Sequence, residues 1–139
     1  MGCDVPKLTP TLFGPPATLE RLTIVDSGLE EILPDALASH ALTLVHLDLS
    51  YNRLHSVPRE IVKLTRLQIL DLRHNGIHRV AEGTVLSSMQ ALRHLYLDHN
   101  QLGQVRLETW NPKEEQSGNV IRHKDEKIVK TMRNVKMRL

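Results

Sequence analysis

The chain has 139 residues, the length of one domain, and 40 % of them are apolar. Aromatic residues make up only 3 %, so leucine, isoleucine and valine must supply the core. The net charge of +2 at pH 7 selects no partner, the single cysteine (Cys3) excludes an internal disulfide, and no stretch reaches the roughly 18 apolar residues of a membrane span.

The distribution of charge says more than its total. Residues 1–119 carry eleven basic and fourteen acidic side chains, whereas residues 120–139 carry seven basic and two acidic ones. The sequence therefore describes a mildly acidic body with a basic tail.

Residues 1–18 hold four prolines and two glycines, which exclude a long regular element and mark an irregular cap. Leu8, Leu12 and Phe13 are expected to cover the core that follows. Met-Gly-Cys also sets Gly2 and Cys3 side by side, a candidate pair for myristoyl and palmitoyl attachment. Pro6 stands where the acceptor pattern wants Ser or Thr, so capping is the preferred reading.

Residues 19–110 repeat. Leu44-Val-His-Leu-Asp-Leu-Ser-Tyr-Asn52-Arg-Leu returns after 23 residues as Leu67-Gln-Ile-Leu-Asp-Leu-Arg-His-Asn75-Gly-Ile. It returns again after 25 as Leu92-Arg-His-Leu-Tyr-Leu-Asp-His-Asn100-Gln-Leu. A weaker copy precedes them, with Leu19, Leu22, Ile24, Leu29 and Ile32 aligned on Leu44, Leu47, Leu49, Leu54 and Val57, and Ser27 in place of the asparagine. Alternation of Leu47 and Leu49 with His46 and Asp48 predicts a short strand with one buried face. Asn52, Asn75 and Asn100 follow these strands, where a side-chain amide can satisfy backbone groups that a tight turn leaves unpaired. They form a structural ladder, one rung per coil. Pro58–Arg66 is the return leg, with Ile61 and Leu64 inward, and Ala81–Ala91 is expected to hold a short helical turn. One coil cannot bury its own apolar side, so neighbours must complete the core.

The pattern L-x-x-L-x-L-x-x-N-x-L resembles the leucine-rich repeat family. The resemblance implies an α/β solenoid with short parallel strands on a concave face and irregular or short helical return legs. It also implies that the concave face binds other macromolecules. The side chains expected to point out of that face are Arg21, Thr23, Val25 and Asp26 in the first coil, and His46, Asp48, Ser50 and Tyr51 in the second. Ile69, Asp71, Arg73 and His74 follow in the third, and His94, Tyr96, Asp98 and His99 in the fourth. This mixture of His, Asp, Arg and Tyr suits charged hydrogen bonds around aromatic anchors. It does not suit a metal centre: His94 and His99 flank Asp98, but no cysteine pair or helical His pair converges with them. No catalytic group, cofactor or small-molecule substrate is expected.

Leu107 and Trp110 are expected to cap the last coil, and 111–119 is a polar linker. In the tail, residues 120–139, Ile121, Ile128, Met132, Val135 and Leu139 fall on one face of a predicted helix. Lys124, Lys127, Lys130, Arg133, Lys136 and Arg138 occupy much of the rest. Such a helix can fold back on the acidic body, dock on a partner protein, or meet RNA phosphates or an anionic membrane surface; disorder is the fourth reading. With no paired cysteines and no apolar leader, an intracellular, cytoplasmic protein is expected. The leading function is a non-enzymatic subunit of a larger assembly. A lipid-anchored signalling adaptor and an RNA- or ribosome-associated subunit are the alternatives.

Overall fold

The structure is a computed structural model that describes residues 4–13, 18–78, 89–101 and the backbone of 120–122. Each repeat places its Leu-x-Leu segment in a strand of three residues: β2 Arg21–Thr23, β4 His46–Asp48, β5 Ile69–Asp71 and β6 His94–Tyr96. Two short strands, β1 Lys7–Leu8 and β3 Glu31–Ile32, lie apart from them, and β7 Val120–Arg122 comes last. The main sheet has the order β2-β4-β5-β6-β7, and every pair is parallel. Leu22, Leu47 and Leu70 stand in register with one another and with Leu95.

That register follows from the repeat. Leucines at equivalent positions fall into columns, each covered by the next coil. Leu44, Leu67 and Leu92 form one column, Leu49, Leu72 and Leu97 another, and Leu54 with Ile77 a third; all are at most 2 % exposed. Burying each such side chain contributes about 2 kcal/mol. The first-coil counterparts Leu19 and Ile24 are only half-buried.

The asparagine rungs hold coil to coil. Asn75 donates from Nδ2 to the Leu49 carbonyl of the preceding coil at 2.9 Å and accepts at Oδ1 from the Leu54 N–H at 3.0 Å. Asn100 repeats the arrangement on Leu72 and Ile77. Among the described residues no strand of the main sheet lies behind the first coil, and the Ser27 hydroxyl donates to the nearby Val25 carbonyl at 3.0 Å. The weaker residue thus occupies the one repeat in which the rung has least to hold.

The second return leg is a short 3-10 helix, Arg59–Lys63, entered through Pro58, which is extended at φ −62° and ψ 133°. Ile61 and Leu64 face inward as the periodicity demands. The first return leg holds a 3-10 turn, Ala38–His40. In the third, Met89 is buried, and the helical turn expected within 81–91 lies largely outside the described residues.

The N-terminal segment caps the first coil by pairing as well as by covering. β1 runs parallel to β3, with Lys7 opposite Glu31 and Leu8 opposite Ile32. Leu8 is fully buried, and Phe13 packs edge-on against the His40 ring at 5.5 Å between centroids. Leu12 does not take the covering role expected of it: it is 48 % exposed, because pairing of β1 spends the inward position on Leu8.

A second difference lies in the tail. Val120–Arg122, expected to open an amphipathic helix, instead pair with β6, His94 against Val120 and Tyr96 against Arg122. An unpaired parallel edge and a β-branched Val-Ile pair favour a strand over a helical first turn. Residues 102–119 and 123–139, with the Leu107–Trp110 cap, the linker and the six tail cations, lie outside the described residues, as do Gly2 and Cys3.

Candidate functional site

Register sorts the outward side chains of the strands into two rows. One row runs Arg21, His46, Ile69, His94; the other runs Thr23, Asp48, Asp71, Tyr96. Arg21 and Thr23 are exposed, and His46, Asp48, Ile69, His94 and Tyr96 are half-buried. His94 and Tyr96 lie with rings nearly parallel, 11° apart, and among the described residues His94 Nδ1 is buried without a hydrogen-bond partner.

Asp71 departs from expectation. It lies on the outward side of its strand yet is only 4 % exposed, because Arg73 lies over it. Arg73 Nε sits 3.0 and 2.9 Å from the two carboxylate oxygens, and Nη2 donates to Oδ2 at 2.6 Å. The Arg73 backbone N–H also donates to Oδ1 at 3.0 Å. Asp48 likewise accepts from the backbone N–H two residues on, that of Ser50. The guanidinium also lies 5.3 Å from the Tyr96 ring centroid. The Asp71 hydrogen bonds hold the Arg73 charge above its ordinary pKa, and the carboxylates of Asp48 and Asp98 add to the effect. A guanidinium forked onto a carboxylate and set over an aromatic ring is held in place before any partner arrives. Sequence periodicity placed these residues on one side without showing that the carboxylate is covered. The available signal is Asp-x-Arg within one turn.

A second group was expected on the strand face but forms a separate column at the turn after each strand. Asp26, Tyr51, His74 and His99 occupy equivalent positions, all with φ between 50° and 57°. Left-handed backbone at four non-glycine residues turns their side chains into line. Tyr51 stacks on His74 at 4.2 Å and 10°, and His74 on His99 at 4.1 Å and 13°. In the first coil the column has no ring, only Asp26.

Beside that end lies a cleft of about 470 Å³ lined by Asp4, Asp26, Ser27, Gly28, Tyr51, Asn52, Arg53 and His74. Gly28 has φ +63°, and a Cβ there would collide with an Asp4 carboxylate oxygen. The positive φ favours glycine here, and the Asp4 side chain lies in the space a Cβ would take. Asp4 was not among the residues expected at a site. Among the described residues no group of three or more His, Cys, Asp or Glu side chains could hold a metal ion.

Comparison with known sequences agrees with the repeat geometry. The family model for the leucine rich repeat matches residues 17–77 and 44–102. The leucine-rich repeat-containing G-protein coupled receptor 5 of Rattus norvegicus is 36 % identical over 99 residues, 71 % of this chain and 10 % of the receptor. An adenylate cyclase of Schizosaccharomyces pombe is 32 % identical over 101 residues, 71 % of this chain and 6 % of the cyclase. Tsukushi of Mus musculus is 34 % identical over 108 residues, 75 % of this chain and 30 % of Tsukushi. The chain thus spans about a tenth or less of the first two relatives, and what those proteins do as wholes does not pass to it. Repeats of this kind generally mediate protein–protein interaction. On the family match and these relatives, the chain belongs to the leucine-rich repeat family.

Proposed function

We propose that this chain is a non-enzymatic protein-binding module, an accessory subunit of an intracellular assembly, that docks a partner on the strand side of its repeat solenoid. The observation that carries the reading is the Asp71–Arg73–Tyr96 cluster, flanked by His46, His94 and Arg21. Arg and Tyr dominate binding hot spots, and here the Arg is preorganised by a buried carboxylate, so little side-chain entropy is lost on docking. The basic segment Lys124 to Arg138 is read as a second contact, on the charge step in the sequence.

The test is affinity capture from native lysate with the full chain and two variants. Arg21→Glu combined with Tyr96→Ala alters the strand side; Lys7→Glu combined with Arg59→Glu alters surface away from it. Proteins retained by the parent and the second variant but lost by the first support the reading. Equal retention by all three overturns it.

A further inference from the structure

The ring column ends abruptly at its first-coil end, and the cleft beside that end has a definite chemistry. His74 lies between two rings, but among the described residues Tyr51 stacks on His74 alone. The next position of the column, in the first coil, is Asp26 rather than a ring, and Tyr51 is 53 % exposed. The same cleft is lined by Tyr51 and by two acidic residues, Asp26 and Asp4. Among the described residues neither has a salt-bridge partner; Lys7 pairs with Glu31, Lys63 with Asp35 and Arg73 with Asp71. Arg53, also in the cleft wall, has Glu30 at 3.9 Å.

We propose that this cleft is a berth for the guanidinium of an arginine side chain presented by the partner protein. The group would continue the column as its fourth planar member, face to face with Tyr51, and fork its N–H groups onto Asp26 and Asp4. The inference rests on the reading that the chain binds proteins, and it names the partner chemistry at one end of the binding side.

Other occupants fit less well. A neutral aromatic ring would extend the stack but leave two carboxylates desolvated without a counter-charge. A lysine ammonium meets the carboxylates but cannot stack as a plane or bond bidentately. An anion is repelled. A metal ion finds two carboxylates, short of the ligand set that hard cations use. Only the guanidinium matches the flat face and the charge together.

The test uses the full-length ¹⁵N-labelled protein at low ionic strength, titrated with three blocked tripeptides, Gly-Arg-Gly, Gly-Lys-Gly and Gly-citrulline-Gly. The amides of Asp26, Ser27 and Gly28 and the Tyr51 ring protons report occupancy. Saturable shifts are expected with the arginine peptide, at least about fivefold weaker binding with lysine, and no saturation with uncharged citrulline. Asp26→Asn, which keeps the side-chain shape, should weaken the arginine peptide about tenfold, and Tyr51→Leu should remove its binding. Absence of saturable shifts with the arginine peptide overturns the proposal. So does lysine binding as tightly as arginine, or an unchanged affinity in Asp26→Asn. The strand-side variant Arg21→Glu/Tyr96→Ala separates the two readings. It should lose captured partners while still binding the tripeptide, so failure of the berth leaves the capture result standing, and the reverse.

Discussion

The Leu29 N–H reaches forward 23 residues to Oδ1 of Asn52, at 3.0 Å, and Asn52 accepts from Ser27 N–H at 3.1 Å as well. Its Nδ2 donates to the carbonyls of Ile24 at 2.6 Å, Leu49 at 3.0 Å and Ser50 at 3.2 Å. Three of these five bonds go to the preceding coil, so the side chain is an inter-coil clamp more than a local turn cap. Asn52→Ala strands several buried backbone groups at about 1 kcal/mol or more each, and a loss of about 3 kcal/mol is expected. Asn100→Ala should cost less, about 1–2 kcal/mol, because Asn100 is half-buried and water can replace part of what it supplies. Urea denaturation of both variants checks the order; equal midpoints would mean that the inter-coil bonds carry no special weight.

The Asp71–Arg73 pair makes a second expectation. Arg73→Ala leaves Asp71, 4 % exposed, with its backbone bond alone and should destabilise by about 2 kcal/mol. Arg73→Lys should recover less than half of that, because an ammonium cannot fork onto the carboxylate. The double replacement Asp71→Leu/Arg73→Leu removes both charges and should cost at least 1 kcal/mol less than the sum of the two single leucine variants, roughly the size of such couplings. Additive single and double effects would show that the pair is a surface contact with no grip on the fold.

These two clusters differ in how far the sequence discloses them. The leucine columns and the asparagine rungs follow from spacing, because a repeat read against itself gives both the inward side and the register. Spacing also places Asp71, Arg73 and Tyr96 on one side. It cannot reveal that a carboxylate there is covered, since cover depends on the rotamer of a neighbour two residues on. The ring column was hidden for another reason: alternation assigns Tyr51, His74 and His99 to the strand face, but all three lie in left-handed backbone past the strand end. The β1–β3 pairing was hidden because β1 is a two-residue strand set among prolines, too short for any period. The strand at Val120–Arg122 was masked by an equally good helical pattern in the residues after it.

Left-handed backbone in the column gives an expectation whose sign is diagnostic. At most positions Gly is less stable than Ala by roughly 0.5–1 kcal/mol. At His74, with φ 52°, the order should reverse. Both His74→Ala and His74→Gly lose the two ring contacts, but only alanine retains the strain of a Cβ in the left-handed region, about 1 kcal/mol. His74→Gly should therefore melt above His74→Ala, and both below the parent, since each ring contact contributes about 0.5–1.5 kcal/mol. Alanine more stable than glycine would place this turn in an ordinary conformation in solution.

His40 is the buried residue whose removal should help. It is 1 % exposed, and among the described residues neither ring nitrogen has a hydrogen-bond partner. Its one described ring contact is the edge of Phe13, 78° from its own plane, an apolar interaction that an aliphatic side chain can replace. A neutral imidazole has one donor and one acceptor, and burying each without a partner costs about 1–3 kcal/mol. His40→Leu fills nearly the same volume, keeps cover over Phe13 and leaves no polar atom behind. A gain of about 1 kcal/mol is expected, which for a chain of this size raises the melting midpoint by roughly 4 °C. Phe13→Ala provides the contrast: it opens the same contact without removing a polar group and should lower the midpoint. If His40→Leu also lowers it, the ring is hydrogen-bonded in solution and the cap packs differently around it.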